Sequence, residues 1–232
     1  MGNAEKGKID KSEKKVQCIL FDAGGVLFDT PVKLGGRVRE FLEKKGYSLS
    51  EIDKSITAAK MIKAPFVTSY QEEEDFFRNF YGTMARELGD EAIGDELFSK
   101  THYAAHCELY PEVVPVLEEL SKNYELAVIS NAMPSMNQVF SRLGIRHYFK
   151  SIILSAFVYT EKPDPAIYQK ALDCMDVKGE ESVFIDDIMI NIDGAGRFGI
   201  KAFHLDRSKT DLALLLRKHR LLEKKLSGCR ND

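Results

Sequence analysis

The chain is short of cysteine, of net charge and of long apolar runs, and each shortage narrows what it can be. Four cysteines in 232 residues, Cys18, Cys107, Cys174 and Cys229, stand scattered with no Cys-x-x-Cys pair. They read as reduced, mostly packing cysteines of a cytoplasmic protein rather than a disulfide framework. Lys and Arg number 33 against 36 Asp and Glu, a net charge of -3. That balance suits neither a nucleic-acid binder nor a membrane-surface binder. No apolar run approaches the length of a transmembrane helix. The opening Met1-Gly2-Asn3-Ala4-Glu5-Lys6 has no apolar signal core, and Lys6 stands where a myristoylation signal needs Ser or Thr. Internal repeats and low-complexity segments are missing too. What remains, 44% hydrophobic and 30% charged residues, is ordinary for a globular protein long enough to bury a sizeable core.

One stretch organises the rest: Val16 to Phe21 is an apolar run that stops at Asp22, followed by Ala23-Gly24-Gly25-Val26-Leu27. A short apolar run bounded by glycine reads as a buried strand of a parallel sheet. Asp22 then stands at the strand's carboxyl end, where open α/β sheets bind ligands. Gly24 and Gly25 let the backbone turn tightly and come close to a ligand, and the loop's N–H groups suit an anion. By itself the stretch also reads as a strand and glycine turn with Asp22 as a cap.

The chain divides by pattern. Residues 1–15 are mostly charged and small, and are expected to form a disordered tail. Residues 32–108 carry helical periodicity without a strong strand, a helical insertion of four or five helices. Within it Lys45-Gly46 ends one helix, and Ser48 with Glu51 forms a capping box for the next. Residues 16–31 and 109–232 form the α/β part. Its further strands are Tyr124–Ser130, one within Tyr148–Ser155, Ser182–Ile185 and Ile200–Leu205. Its helices are Pro111–Ser121, Gln138–Leu143, Pro165–Met175, Asn191–Phe198 and Asp211 to about Lys225. Such alternation predicts a Rossmann-like parallel sheet with helices on both faces, an α/β fold interrupted by an α-helical bundle.

In a parallel sheet, the strand ends bring Asp22, Ser130-Asn131, the Lys162-Pro163 loop and Asp186-Asp187 to one edge. Three carboxylates, an ammonium and a hydroxyl suit a divalent cation beside a phosphate. Four segments in this order, Phe-Asp22-Ala-Gly24-Gly-Val-Leu, Val-Ile-Ser130-Asn131, Lys162-Pro163-Asp-Pro-Ala-Ile-Tyr168 and Phe-Ile-Asp186-Asp187, resemble the four motifs of the haloacid dehalogenase (HAD) superfamily. Most members of that family are aspartate-nucleophile phosphatases, and the insertion resembles the small helical cap of one subgroup.

The resemblance implies roles. Asp22 is the nucleophile that forms an aspartyl-phosphate. Asp22, the Gly24 carbonyl and Asp187 hold Mg²⁺, with Asp186 and Asn191 as the supporting polar groups. Ser130, Gly25 and the Asn131 backbone N–H bind the phosphate, and Lys162 bridges nucleophile and phosphate. The implied activity is Mg²⁺-dependent hydrolysis of a small phosphorylated metabolite, by a cytoplasmic monomer or homodimer with no nucleic-acid or membrane partner. One departure stands out: the phosphatases carry a second aspartate, a proton donor and base, two residues after the nucleophile, where this chain has Gly24. Three readings follow. The leaving group is a good one, such as an acyl or anomeric phosphate, or another group replaces the acid. The chain is a 2-haloacid dehalogenase, a branch that also lacks this aspartate but works without metal and tends to carry Ser and Asn at Asp186-Asp187. Or it is a weakened or silent, binding-only member. The missing acid–base group argues against a phosphoryl mutase.

Other features carry less. Gly194-Ala195-Gly196-Arg197-Phe198-Gly199 matches G-x-G-x-x-G but falls within and at the end of a helix, not between strand and helix as a dinucleotide fingerprint requires. His102 and His106 stand i, i+4 on a predicted helix beside Cys107. With no Glu after His102 they read as surface or hinge residues rather than a metal site. Asp29 either shapes the cleft entrance or caps a turn. Arg37, Lys60 and Lys63 read as a solvated helix face, with reach into the cleft as the other reading. Arg217-Lys218-His219-Arg220 reads as a solvated basic face.

Overall fold

The computed structural model describes residues 15–223; all but the last residue of the expected tail (residues 1–15), the predicted helix end near Lys225 and Cys229 lie outside them. A five-stranded sheet is built from β1 (Cys18–Phe21), β4 (Glu125–Ser130), β5 (Ser151–Leu154), β6 (Ser182–Asp186) and β7 (Lys201–His204). The order is β5-β4-β1-β6-β7, and every pairing is parallel. β1 is central. The chain adds β4 and β5 on one side of it and β6 and β7 on the other, so the crevice at β1 is the topological switch point where such sheets bind ligands.

Both faces of β1 are covered, which is why it reads as an unbroken apolar run. Ile19 and Phe21 join one core with Val128 and Ile185, roofed by α5 (Val113–Leu120), α6 (Met136–Arg142) and α10 (Leu212–Lys218). Cys18 and Leu20 join a second core with Ala127 and Ile129 under α8 (Pro165–Met175) and α9 (Met189–Gly196), the short α7 (Ser155–Val158) following β5. Helix α8 matches its predicted bounds because its signals are local. Asp164 accepts from the Ala166 N–H as N-cap, Pro165 opens the helix, and Asp176 in the left-handed region closes it.

The insertion that follows β1 carries four α-helices, α1 (Leu34–Lys44), α2 (Leu49–Lys60), α3 (Tyr70–Glu87) and α4 (Ile93–Thr101). They share a third core of their own, with Val38, Leu42, Ile52, Phe77, Tyr81, Met84 and Leu97. The Ser48–Glu51 capping box at α2 is present in both directions. A two-residue antiparallel ribbon, β2 (Phe28–Asp29) with β3 (Glu108–Leu109), ties the two ends of the insertion together. No helix among the described residues is long and apolar enough to cross a membrane.

Three expectations are corrected. Arg37 is neither solvated nor turned toward the cleft: it is 6% exposed and donates to the carbonyls of Thr101 (2.8 Å) and Val32. Thr101 is the last residue of α4, so Arg37 satisfies a carbonyl that the helix end leaves without a partner. His102 and His106 do not share a helix, because α4 stops at Thr101 and a 3-10 turn, Tyr103–Ala105, separates them. His102 is half-buried edge-on against Phe77, at 4.4 Å between ring centroids, and the loss of water around it pushes its imidazole down to about 4. The last helix ends at Lys218 rather than near Lys225, and His219 of the basic run stacks on Phe203 at 3.7 Å. Asp29 caps its turn: it accepts from the Thr30 N–H and pairs with Lys33. Lys60 and Lys63 are exposed. Helix α9 ends at Gly196 and Gly199 takes φ +73, so the G-x-G-x-x-G stretch is a helix end.

Candidate active site

The carboxyl ends of β1, β4 and β6 place Asp22, Ser130 and Asp186 side by side, because these strands run in register as neighbours. Asp22 continues the ladder, its N–H donating to the Ile185 carbonyl at 2.8 Å. Lys162 arrives from the loop before α8 and joins two of the carboxylates. Its Nζ donates to Asp22 Oδ1 at 2.5 Å and to Asp186 Oδ2 at 2.6 Å. The three groups are 4%, 8% and 0% exposed for Lys162, Asp22 and Asp186, so their charges are screened little by water. The Lys162–Pro163 peptide bond is cis.

Each member is held by further polar groups. Asp186 accepts from Asn191 Nδ2 on both oxygens (3.1 and 3.0 Å) and from the Ile188 N–H at 2.8 Å. Lys162 is fixed through its backbone. Asn131 Oδ1 accepts from the Lys162 N–H at 2.6 Å and Asn131 Nδ2 donates to the Lys162 carbonyl at 2.8 Å. That two-point clamp shows the Asn131 side chain, whose expected part was a backbone N–H, holding the lysine's loop. Ser130 ends β4 and is buried.

Asp187 completes the acidic group. Ligand oxygens of Asp22, Asp186 and Asp187 lie within 4.8 Å of one another. They form the one group of three or more His, Cys, Asp or Glu residues, among those described, placed to hold a metal ion. Three carboxylates share one ammonium, an excess of negative charge. A hard divalent cation with oxygen ligands fits such a donor set. The same crowding appears in the acidities. Burial pushes the Asp22 carboxyl up to about 6; Lys162 pulls the other way and Asp186 adds to the rise. Burial, then Asp186, likewise raises Asp187.

Gly25 packs directly on Asp187. A Cβ there would stand 2.2 Å from Asp187 Oδ2, and φ is +77, so both space and backbone call for glycine. Two residues that sequence reasoning missed hold this corner. Arg207, stacked on the Tyr110 ring at 3.6 Å, donates to the carbonyls of Gly25 (3.2 Å) and Val26 and pairs with Glu112. His204 Nε2 donates to the Asp187 carbonyl at 2.9 Å. From the insertion, Glu73 of α3 reaches the loop after β4, accepting from the Ser135 N–H (2.7 Å), the Ser135 hydroxyl (2.6 Å) and the Tyr103 hydroxyl (3.2 Å). Glu73 is 4% exposed. Nothing local in the sequence marks these contacts, which join residues far apart in the chain.

Residues 16–199 match the haloacid dehalogenase-like hydrolases. The chain belongs to that family. Among curated HAD relatives, a glyceraldehyde 3-phosphate phosphatase of Methanopyrus kandleri is 32% identical over 108 residues, 45% of this chain and 46% of that protein. An (S)-2-haloacid dehalogenase of a Pseudomonas species is 26% identical over 202 residues, 83% of this chain and 85% of that one. The chain spans about half the length of several of the curated relatives it matches. A magnesium-bound HAD hydrolase of Bacillus subtilis superposes with a TM-score of 0.63 at 16% identity, over 89% of this chain and 100% of that one. A HAD-family enzyme of Bacteroides thetaiotaomicron, solved with magnesium and inorganic phosphate, gives 0.61 at 17% identity, over 87% and 100%. At these identities the structural likeness concerns the HAD fold.

Proposed function

We propose that this HAD hydrolase is a Mg²⁺-dependent phosphatase that cleaves a small phosphate monoester through a phosphoryl group carried on Asp22. The observation that carries the reading is the group of three carboxylates at the switch point of the sheet, two of them, Asp22 and Asp186, buried and joined by Lys162. Asp22, Asp187 and the Gly24 carbonyl would hold the cation, which lets an anionic carboxylate approach an anionic phosphate. Asp22 attacks phosphorus; the bond from phosphorus to the leaving oxygen breaks, and its electron pair departs with the leaving group. Lys162, already on Asp22, offsets charge on the phosphoryl oxygens, and Ser130, Gly25 and the Asn131 N–H bind them. Water then attacks phosphorus, releasing phosphate and restoring the Asp22 carboxylate. Asp186 and Asn191 keep Lys162 in place.

The helical insertion acts as a cap in this reading. It meets the core at the Glu73–Ser135 contacts and at Tyr70, whose ring lies 6.0 Å from that of Phe157. The relatives named as phosphatases of glyceraldehyde 3-phosphate and of phosphoserine support a small organic phosphate as substrate. A second reading, dehalogenation, is favoured by the longer match to an (S)-2-haloacid dehalogenase. The three-carboxylate group speaks against it. One assay separates them: phosphate release from p-nitrophenyl phosphate with Mg²⁺, with EDTA and with Asp22→Asn, run beside halide release from 2-chloropropionate. Phosphate release that needs both Mg²⁺ and Asp22 supports the phosphatase. Halide release that survives EDTA supports the dehalogenase, and neither release supports a binding-only protein.

A further inference from the structure

The position two residues after the nucleophile is where a proton donor for the leaving group would stand, and here it is Gly24. The structure shows how that place is arranged. A Cβ built on Gly24 meets no heavy atom within 4 Å, and the residue is exposed. Among the described residues, no other side chain fills that place. The titratable groups nearest the nucleophile are placed away from Gly24. Lys162 is bonded to Asp22 and Asp186, Asp186 is taken by Lys162 and Asn191, and His204 is turned onto the Asp187 carbonyl. Asp187 lies against Gly25 within the acidic group. None of these four side chains comes within 4 Å of a Cβ at Gly24.

Resting on the phosphatase reading above, we infer that the substrate is a phosphate whose leaving group departs as a stable anion without being protonated. An acyl phosphate, a mixed carboxylic–phosphoric anhydride, is its foremost member. When Asp22 attacks, the phosphorus–oxygen bond breaks and the electron pair leaves on a carboxylate, whose conjugate acid has a pKa of about 4. That carboxylate departs as it is. An alkyl phosphate would have to expel an alkoxide, close in basicity to hydroxide, the conjugate base of water at about 15.7. The phosphoryl transition state is loose, with much of the bond to the leaving oxygen already broken, so leaving-group basicity weighs heavily on the rate. A positioned acid typically contributes about 10²–10⁴-fold, and alkyl phosphates forgo that factor here.

The test compares kcat/KM, with Mg²⁺, for acetyl phosphate, p-nitrophenyl phosphate, glucose 1-phosphate, glucose 6-phosphate and glycerol 3-phosphate. Turnover by Asp22→Asn is subtracted. The expected result is a steep dependence on the leaving group, with acetyl and p-nitrophenyl phosphate at least about 10²-fold above the two alkyl phosphates. Glucose 1-phosphate, leaving from the anomeric carbon, should fall between. Because the space at Gly24 is open, Gly24→Asp should raise the alkyl phosphates by about 10-fold or more relative to acetyl phosphate. Gly24→Asn, of the same shape but with no acidic proton, should not. Alkyl phosphates cleaved within about 10-fold of acetyl phosphate by the unmodified protein would overturn the inference while leaving the phosphatase reading intact. Phosphate from none of the five would overturn both. The slope of the unmodified protein decides even where a variant does not fold.

Discussion

Replacing Asp22 by Asn probes the electrostatics of the site separately from its chemistry. Asn has the shape of the protonated acid and keeps an oxygen for Lys162 to donate to, so the change removes a charge and little else. In the folded protein the Asp22 carboxyl lies at about 6, against 3.8 for a free side chain. Burial is the main cause. Because the folded value is raised, the ionised form weakens the fold. The cost is absent below about pH 3, grows as pH rises through 3.8 to about 6, and is constant above that. Across that interval it amounts to about 3 kcal/mol, at about 1.4 kcal/mol per pH unit. Without metal, Asp22→Asn should therefore be more stable than the unmodified protein by about 3 kcal/mol at pH 8 and by about half that at pH 5. For a chain of this size that is roughly 6–12 °C in Tm. Urea unfolding in EDTA across pH 5–8 reads it. A variant of equal or lower stability at pH 8, or a difference that does not grow with pH, would refute the reasoning.

Other outcomes follow from the same geometry. Gly25→Ala should lower Tm and weaken Mg²⁺ binding by at least about 10-fold, because its Cβ would stand 2.2 Å from Asp187 Oδ2. Isothermal titration calorimetry checks this, and unchanged Mg²⁺ affinity would contradict the placement. Arg207→Ala removes donors from the Gly25 and Val26 carbonyls and should cost about 2–3 kcal/mol of unfolding free energy. A loss under about 0.5 kcal/mol in urea unfolding would show that the Arg207 contacts are incidental. Glu73→Ala leaves the Ser135 N–H without its acceptor and should speed hydrogen exchange at that amide, with a stability loss of about 1–3 kcal/mol. Unchanged exchange would mean that Glu73 does not hold the loop after β4.

The sheet was legible because its information is local. Each strand is a short apolar run with polar or glycine punctuation, and α8 carries its own start and stop at Asp164, Pro165 and Asp176. The carboxylates and Lys162 could be gathered at one edge because parallel topology sends every strand end the same way. What stayed hidden depends on partners distant in sequence. The ribbon pairing Phe28 with Leu109 has two residues per strand and no pattern to detect. Arg37 looks like a surface charge until the end of α4 is brought to it across 64 residues. His102 and His106 show helical spacing, but the helix stops at Thr101, where Arg37 takes its terminal carbonyl. Arg207 grips backbone carbonyls and Glu73 a backbone N–H, and a backbone group has no sequence signature. The Asn131 clamp on Lys162 escaped for the same reason.

The central claim is covalent: Asp22 carries the phosphoryl group during turnover. Its most direct test is to mix the protein with Mg²⁺ and p-nitrophenyl phosphate, quench in acid within a turnover, digest with pepsin and weigh the peptides. The account predicts one added phosphoryl group on the peptide that contains Asp22, absent with EDTA and absent from Asp22→Asn. Rapid phosphate release with no phosphoryl group on that peptide, or with one on another peptide, would contradict it.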